Sequence, residues 1–170
     1  MKPVLKRIFE SPWLAGRLEV VLGMVFIVAS LHKIADPPDF AHMIYNYKIT
    51  PNPFINLVAI YMPWIELFAG LALVCGVFGR RGGATIVGGL LVVFMLAIGF
   101  NLLRGNAIDC GCFEGSGETK TRAQLLLEMW WVLFRDALML LGVAQILVAG
   151  RAEERRAAAP SAPRPEPVRA

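Results

Sequence analysis

Charge is scarce in this chain: Asp, Glu, Lys and Arg make up 18% of 170 residues, while 56% are hydrophobic. A soluble domain of this size carries more charge on its surface, so the balance excludes a water-facing globule and is that of a membrane protein. Acid is scarcer still than base, leaving a net charge of +4. The basic residues, however, fall in short clusters between apolar runs rather than along one face, which argues against nucleic acid as a partner. Cysteine and histidine are rare, three and two respectively. Cys110 and Cys112 with His32 or His42 make a poor metal signature beside two spaced C-x-x-C pairs, so no metal is expected.

Long apolar runs are what the chain has. A helix needs about 20 apolar residues to cross the hydrocarbon, since every backbone polar group must be satisfied without water. Four stretches qualify: Leu18 to Ala35, Phe54 to Phe78, Ala84 to Leu103, and Leu125 to Ala149. The expected fold is an all-α integral membrane bundle of four transmembrane helices. Lys2, Lys6 and Arg7 before the first span, with Val28-Ala29-Ser30 inside it, imitate a signal peptide. The apolar pattern runs past that point to Ile34 and Ala35, so a retained helix is expected.

Lys and Arg are distributed unevenly: eleven lie before the first span, between the second and third, or after the fourth, and five lie on the other side. By the positive-inside rule both termini are expected in the cytoplasm, with the short Gly79-Arg80-Arg81-Gly82 turn the strongest signal. The expected organisation is a cytoplasmic segment over residues 1–15, a membrane domain over 16–150, and a cytoplasmic tail over 151–170. The tail, rich in Ala, Pro, Arg and Glu, is read as disordered.

Polar residues within the spans mark the interior. Glu19, Gly23, Phe26, Ser30 and Lys33 recur at helical spacing and share one face, turned away from lipid. Glu66 lies near the middle of the second span and must be protonated or paired with a cation from another helix. Arg135, at similar depth in the fourth span, is the expected partner. With Arg104 at the outer end of the third span and Glu128 one face-repeat before Arg135, the residues Lys33, Glu66, Arg104, Glu128 and Arg135 are expected to ring a polar cavity in the outer half of the bundle. Cys75, among Leu, Val and Phe, reads as a small buried hydrophobe.

Above that ring the same topology puts Asp109-Cys110-Gly111-Cys112 on the outer face, where disulfides form and persist. Closing Cys-Gly-Cys makes a very small, strained ring. Strained, exposed bridges exchange readily with other thiols, which favours transfer over stapling, with Asp109 as a proton-handling or orienting group. A quinone held near Lys33, Glu66 and Arg135 is a candidate cofactor. The alternative is a non-catalytic membrane subunit or chaperone of a quinone-linked complex, in which the cysteines are a structural clasp. A solute transporter is disfavoured by the absence of inverted repeats.

These residues resemble the methylamine utilisation protein MauE family, within the wider DoxX-like group. The resemblance rests on Gly23 and Phe26 through Lys33-Ile34-Ala35-Asp36-Pro37, then Phe40 and Tyr47; on Pro63-Trp64-Ile65-Glu66-Leu67 with Gly70; and on Arg104-Gly105 followed by Asp109-Cys110-Gly111-Cys112-Phe113. It implies an inner-membrane helper in periplasmic redox maturation, with the bilayer and a thioredoxin-like protein or redox-enzyme subunit as partners. The family association is with the disulfide-rich small subunit of methylamine dehydrogenase. Glu114 departs from the family's usual CGCFG.

Overall fold

A computed structural model describes residues 11–77, 79–106 and 121–158, and all the regular structure it contains there is helical. The elements are α1 (Pro12–Ala35), α2 (Pro37–Tyr47), a 3-10 turn (Asn52–Phe54), α3 (Ile55–Cys75), α4 (Gly79–Leu103) and α5 (Arg122–Ala158). Four of these helices, α1, α3, α4 and α5, are long and apolar enough to cross a membrane. Each keeps large apolar side chains on its exterior, such as Phe68 on α3, Leu96 on α4 and Trp131 on α5. That surface is stable against lipid and not against water.

The long helices alternate in direction and close a ring: α1 packs chiefly on α3, α3 on α4, α4 on α5, and α5 back on α1. The buried face of α1 carries Gly23, Phe26 and Ser30, with Glu19 and Lys33 half-buried on it, as the spacing predicts. Gly23 and Gly70 let the backbones of α1 and α3 touch: a Cβ built on Gly70 would meet the Gly23 carbonyl oxygen at 2.8 Å. Close approach through small residues is the usual way membrane helices gain dispersion contacts where no hydrophobic effect separates them from lipid.

The two ends of the bundle are held differently. At one end Arg80 Nε lies 2.7 Å from Glu19 Oε1, and its Nη1 donates to Glu153 Oε1 at 2.8 Å, while Arg81 donates to Glu154. This clasp joins α1, α4 and α5. It also corrects the reading of residues 151–158 as disordered: α5 continues through them to Ala158, because Glu153 and Glu154 have cations to reach.

At the other end, Arg122 Nη2 donates to the Gly105 carbonyl at 3.0 Å, tying the end of α4 to the start of α5. Thr121 and Gln124 form a reciprocal cap there, with Thr121 N donating to Gln124 Oε1 at 2.8 Å and Gln124 N to Thr121 Oγ1 at 3.5 Å. This is the S/T-x-x-E/Q box that starts helices.

The helix α2 was not among the four expected spans. Asp36 caps it by accepting from Asp39 N at 3.1 Å, and Pro37 occupies the first helical position. Its buried Phe40 and Ile44 pack on Ile55 and Ala59 of α3. Asp36→Ala should therefore lower stability by about 1 kcal/mol, the usual worth of an N-cap, and Asp36→Asn should restore most of it. Detergent-denaturant titration of the folded protein reads the difference.

Cys75 is also corrected. It is exposed at the last position of α3, next to Gly76 at φ 66°, and does not fill the core.

Candidate functional site

The site begins with an ion pair whose geometry follows from helix direction. Side chains lean toward the N-terminus of their own helix. On antiparallel helices Lys33, near the end of α1, therefore leans back into the bundle, while Glu66 leans up from mid-α3 to meet it. Lys33 Nζ donates to Glu66 Oε1 at 2.8 Å and Oε2 at 2.7 Å. Glu66 is 1% exposed and eleven residues past Ile55, about 16 Å along α3 at 1.5 Å per residue. Pro63, buried one turn before Glu66, removes a backbone donor from α3, so the Ala59 carbonyl lacks its usual i+4 partner.

The expected partnership of Glu66 with Arg135 is overturned. Arg135 is at comparable depth, but its Nε and Nη2 donate to the neighbouring Asp136 Oδ1 at 3.1 and 3.0 Å. Asp136 is itself buried on α5. Similar depth does not decide the pairing; side-chain lean and the carboxylate adjacent in the chain do.

Both pairs open on one cavity of about 280 Å³. Lys33, Glu66, Arg135 and Asp136 supply its charges. Phe26, Val25 and Ala29 of α1, Phe94 and Ala97 of α4, and Val132 and Met139 of α5 supply apolar wall. From α2 and the turn after it come Phe40, Met43, Ile44, Tyr47, Ile49 and Thr50. The Lys33 ammonium lies 5.2 Å from the Phe40 ring centroid and 5.1 Å from that of Phe94, within cation–π reach of both.

Of the five residues expected to ring a polar cavity, Lys33, Glu66 and Arg135 line this one. Arg104 does not: it is exposed, with its guanidinium 5.1 Å from the Phe100 ring. Glu128 is half-buried and also outside the lining. Asp136 and the α2 contributors are additions that the sequence reading missed. The pairing of Arg135 with Asp136, and the cap-plus-proline start Asp36-Pro37-Pro38, were the signals for them. Asn101 is fully buried at the same end of the bundle, donating to the Ala97 carbonyl at 3.1 Å and receiving Asn106 Nδ2 at 3.5 Å. Asp109, Cys110 and Cys112 lie outside the described residues. The two chain ends that flank them, Asn106 and Thr121, leave from the end of the bundle opposite the Arg80 clasp. Among the described residues there is no cluster of His, Cys, Asp and Glu able to hold a metal.

Comparison with known proteins gives the frame for this geometry. The family profile of Methylamine utilisation protein MauE matches residues 11–149. The chain belongs to the MauE family. Among curated relatives of this MauE-family chain, the Methylamine utilization protein MauE of Paracoccus denitrificans is 29% identical over 141 residues, covering 82% of this chain and 71% of the relative. The Paracoccus versutus protein of the same name is 29% identical over 151 residues, 86% and 77% of the two chains. That of Methylophilus methylotrophus is 30% identical over 104 residues, 61% and 54%. No solved structure matches. The matched region takes in α1, α3 and α4 whole, α5 as far as residue 149, and the cavity residues, so this is a multi-pass membrane protein of the MauE family.

Proposed function

We propose that this chain is an inner-membrane component of a redox maturation system serving methylamine utilisation or a related pathway, with both termini in the cytoplasm. Its Cys110 and Cys112 face the periplasm and exchange disulfides with a thioredoxin-like protein or with a redox-enzyme subunit that needs them. The observation that carries this reading is the polarity of the bundle. The basic clasp of Arg80 and Arg81 marks one end, and the segment holding the cysteines joins α4 to α5 at the other. Under the positive-inside rule the cysteine end is the oxidising side.

The exchange is conservative in electrons. A partner thiolate attacks the Cys110–Cys112 disulfide, forming a mixed disulfide and releasing one thiolate; a second partner thiol then displaces the chain, which leaves with both cysteines reduced and the partner oxidised. Asp109, next to Cys110, is suited to receive a proton or orient the attack.

Trapping tests it. In membranes quenched with acid and alkylated, full-length Cys110→Ser or Cys112→Ser, whose remaining thiolate attacks the disulfide of the oxidised partner in the reverse of this exchange, should accumulate a partner-linked species that dithiothreitol dissolves, and the double variant should not. Cysteines that stay inert to mild reductant in native membranes, with no linked species in either single variant, would sink the exchange reading in favour of a static clasp.

A further inference from the structure

The cavity has a chemistry that selects its occupant. It contains two cations and two anions, Lys33 with Glu66 and Arg135 with Asp136, so its charges cancel. A net-charged ligand would lack a surplus counter-charge in surroundings where an uncompensated charge is costly, and a neutral one suits the site. Two of the three protons of the Lys33 ammonium are committed to Glu66, leaving it one to give to an acceptor such as a carbonyl oxygen. That ammonium lies about 5 Å from the ring centroids of both Phe40 and Phe94, whose faces can receive a flat group.

Size and access narrow the choice. About 280 Å³ is at the lower edge of small-molecule sites. One substituted ring with the first part of a tail fits; the two chains of a phospholipid do not. Val93 and Ile49 line the cavity and are 54% and 45% exposed, so the cavity opens beside them and a hydrocarbon tail has a way out.

We propose that this cavity binds a neutral, ring-bearing lipid of the quinone class, with a carbonyl oxygen accepting from Lys33 Nζ and the tail leaving past Val93. The proposal deepens the thiol-exchange reading, and its use rests on that reading. A dithiol formed at Cys110 and Cys112 would lose two electrons and two protons on reclosing to the disulfide, and a quinone would take up both to become the quinol. Binding itself stands on the cavity alone.

The test uses the full-length protein in phosphatidylcholine nanodiscs, an azido-ubiquinone photoprobe and decylubiquinone as competitor. Saturable labelling should map to peptides from α2 and from the Leu91–Ile98 stretch of α4, and decylubiquinone should protect them. Ala97→Phe, which fills the cavity, and Lys33→Met/Glu66→Met, which removes the donor at similar volume, should each weaken displacement by about tenfold or more. Circular dichroism confirms that each variant is folded; should Ala97→Phe not fold, the double variant decides. Cys110→Ser/Cys112→Ser should be labelled like the parent, so a failure of thiol exchange leaves this result standing. Labelling that never saturates and spreads over the lipid-facing surface overturns the proposal, as does displacement unchanged in the folded cavity variants.

Discussion

Lys33→Met alone is expected to destabilise the folded bundle by about 3–5 kcal/mol, and Lys33→Met/Glu66→Met to recover most of that loss. The asymmetry follows from burial. Glu66 is 1% exposed, and its two oxygens accept from one ammonium at 2.8 and 2.7 Å. Removing Lys33 leaves a carboxylate with no water to replace its partner. Removing both leaves two thioethers of similar length in an already apolar wall, where desolvation no longer has to be offset. A double-mutant cycle by titration from dodecyl maltoside into dodecyl sulfate, read by circular dichroism, should give a coupling at least as large as the recovered stability, about 2–4 kcal/mol or more. The parallel cycle of Glu66→Met with Arg135→Met should give a clearly smaller one, since Arg135 donates to Asp136. Equal coupling in the two cycles would mean that the four charges act as one cluster and that the Lys33–Glu66 pair has no separate identity.

What could be read from the sequence, and what could not, divides along the range of the physics involved. The four spans are a one-dimensional property: any helix crossing the hydrocarbon must be apolar for about 20 residues, so the runs announce themselves. The inward face of α1 is equally local, because Glu19, Gly23, Phe26, Ser30 and Lys33 recur at the helical period. The partner of Glu66 is not local. Depth alone made Arg135 a candidate, whereas the lean of side chains on antiparallel helices brings in Lys33, from a position nominally nearer the membrane surface. The helical run from Arg151 to Ala158 was hidden for a similar reason. Its composition is that of a tail, and only contact with Arg80 and Arg81 gives Glu153 and Glu154 something to order against. In α2 the signals were present in Asp36, Pro37 and the spaced Phe40 and Ile44, but eleven residues are too few to register as a span.

That short helix changes what the site is. Without α2, a Lys33–Glu66 pair between two crossing helices would be a register device, one of the better attested uses of buried charge. With Phe40, Met43, Ile44 and Tyr47 from α2 in its wall, the pair sits at the polar pole of a partly open pocket. An apolar cleft with a few convergent polar groups is the general form of a small-molecule site. The charges and the cavity are then parts of one arrangement, and a perturbation of the α1–α3 contact should disturb both.

That contact is where the second large effect is expected. Gly70→Ala should cost about 1–3 kcal/mol, against little change for Gly89→Ala or Gly99→Ala, where a Cβ would meet nothing within 4 Å. At Gly70 the new methyl would lie 2.8 Å from the Gly23 carbonyl oxygen and 3.1 Å from Phe26 Cβ and Ile27 Cγ1, and a backbone oxygen cannot swing aside as a side chain can. The helices must separate. Glu66 is one turn from Gly70 on the same strip of α3, so separation also draws its carboxylate from Lys33 and widens the cavity beside Phe26. Gly23→Ala meets the same pair of backbones from the other side, with Gly70 O at 2.8 Å and Val74 Cγ2 closer still. Because one displacement relieves both clashes, Gly23→Ala/Gly70→Ala should cost less than the sum of its parts. Unfolding midpoints for the four glycine variants and the double mutant check this. A Gly70→Ala midpoint equal to that of Gly89→Ala would show that the two backbones are not in contact, and with it the close approach that sets Lys33 opposite Glu66 would fall.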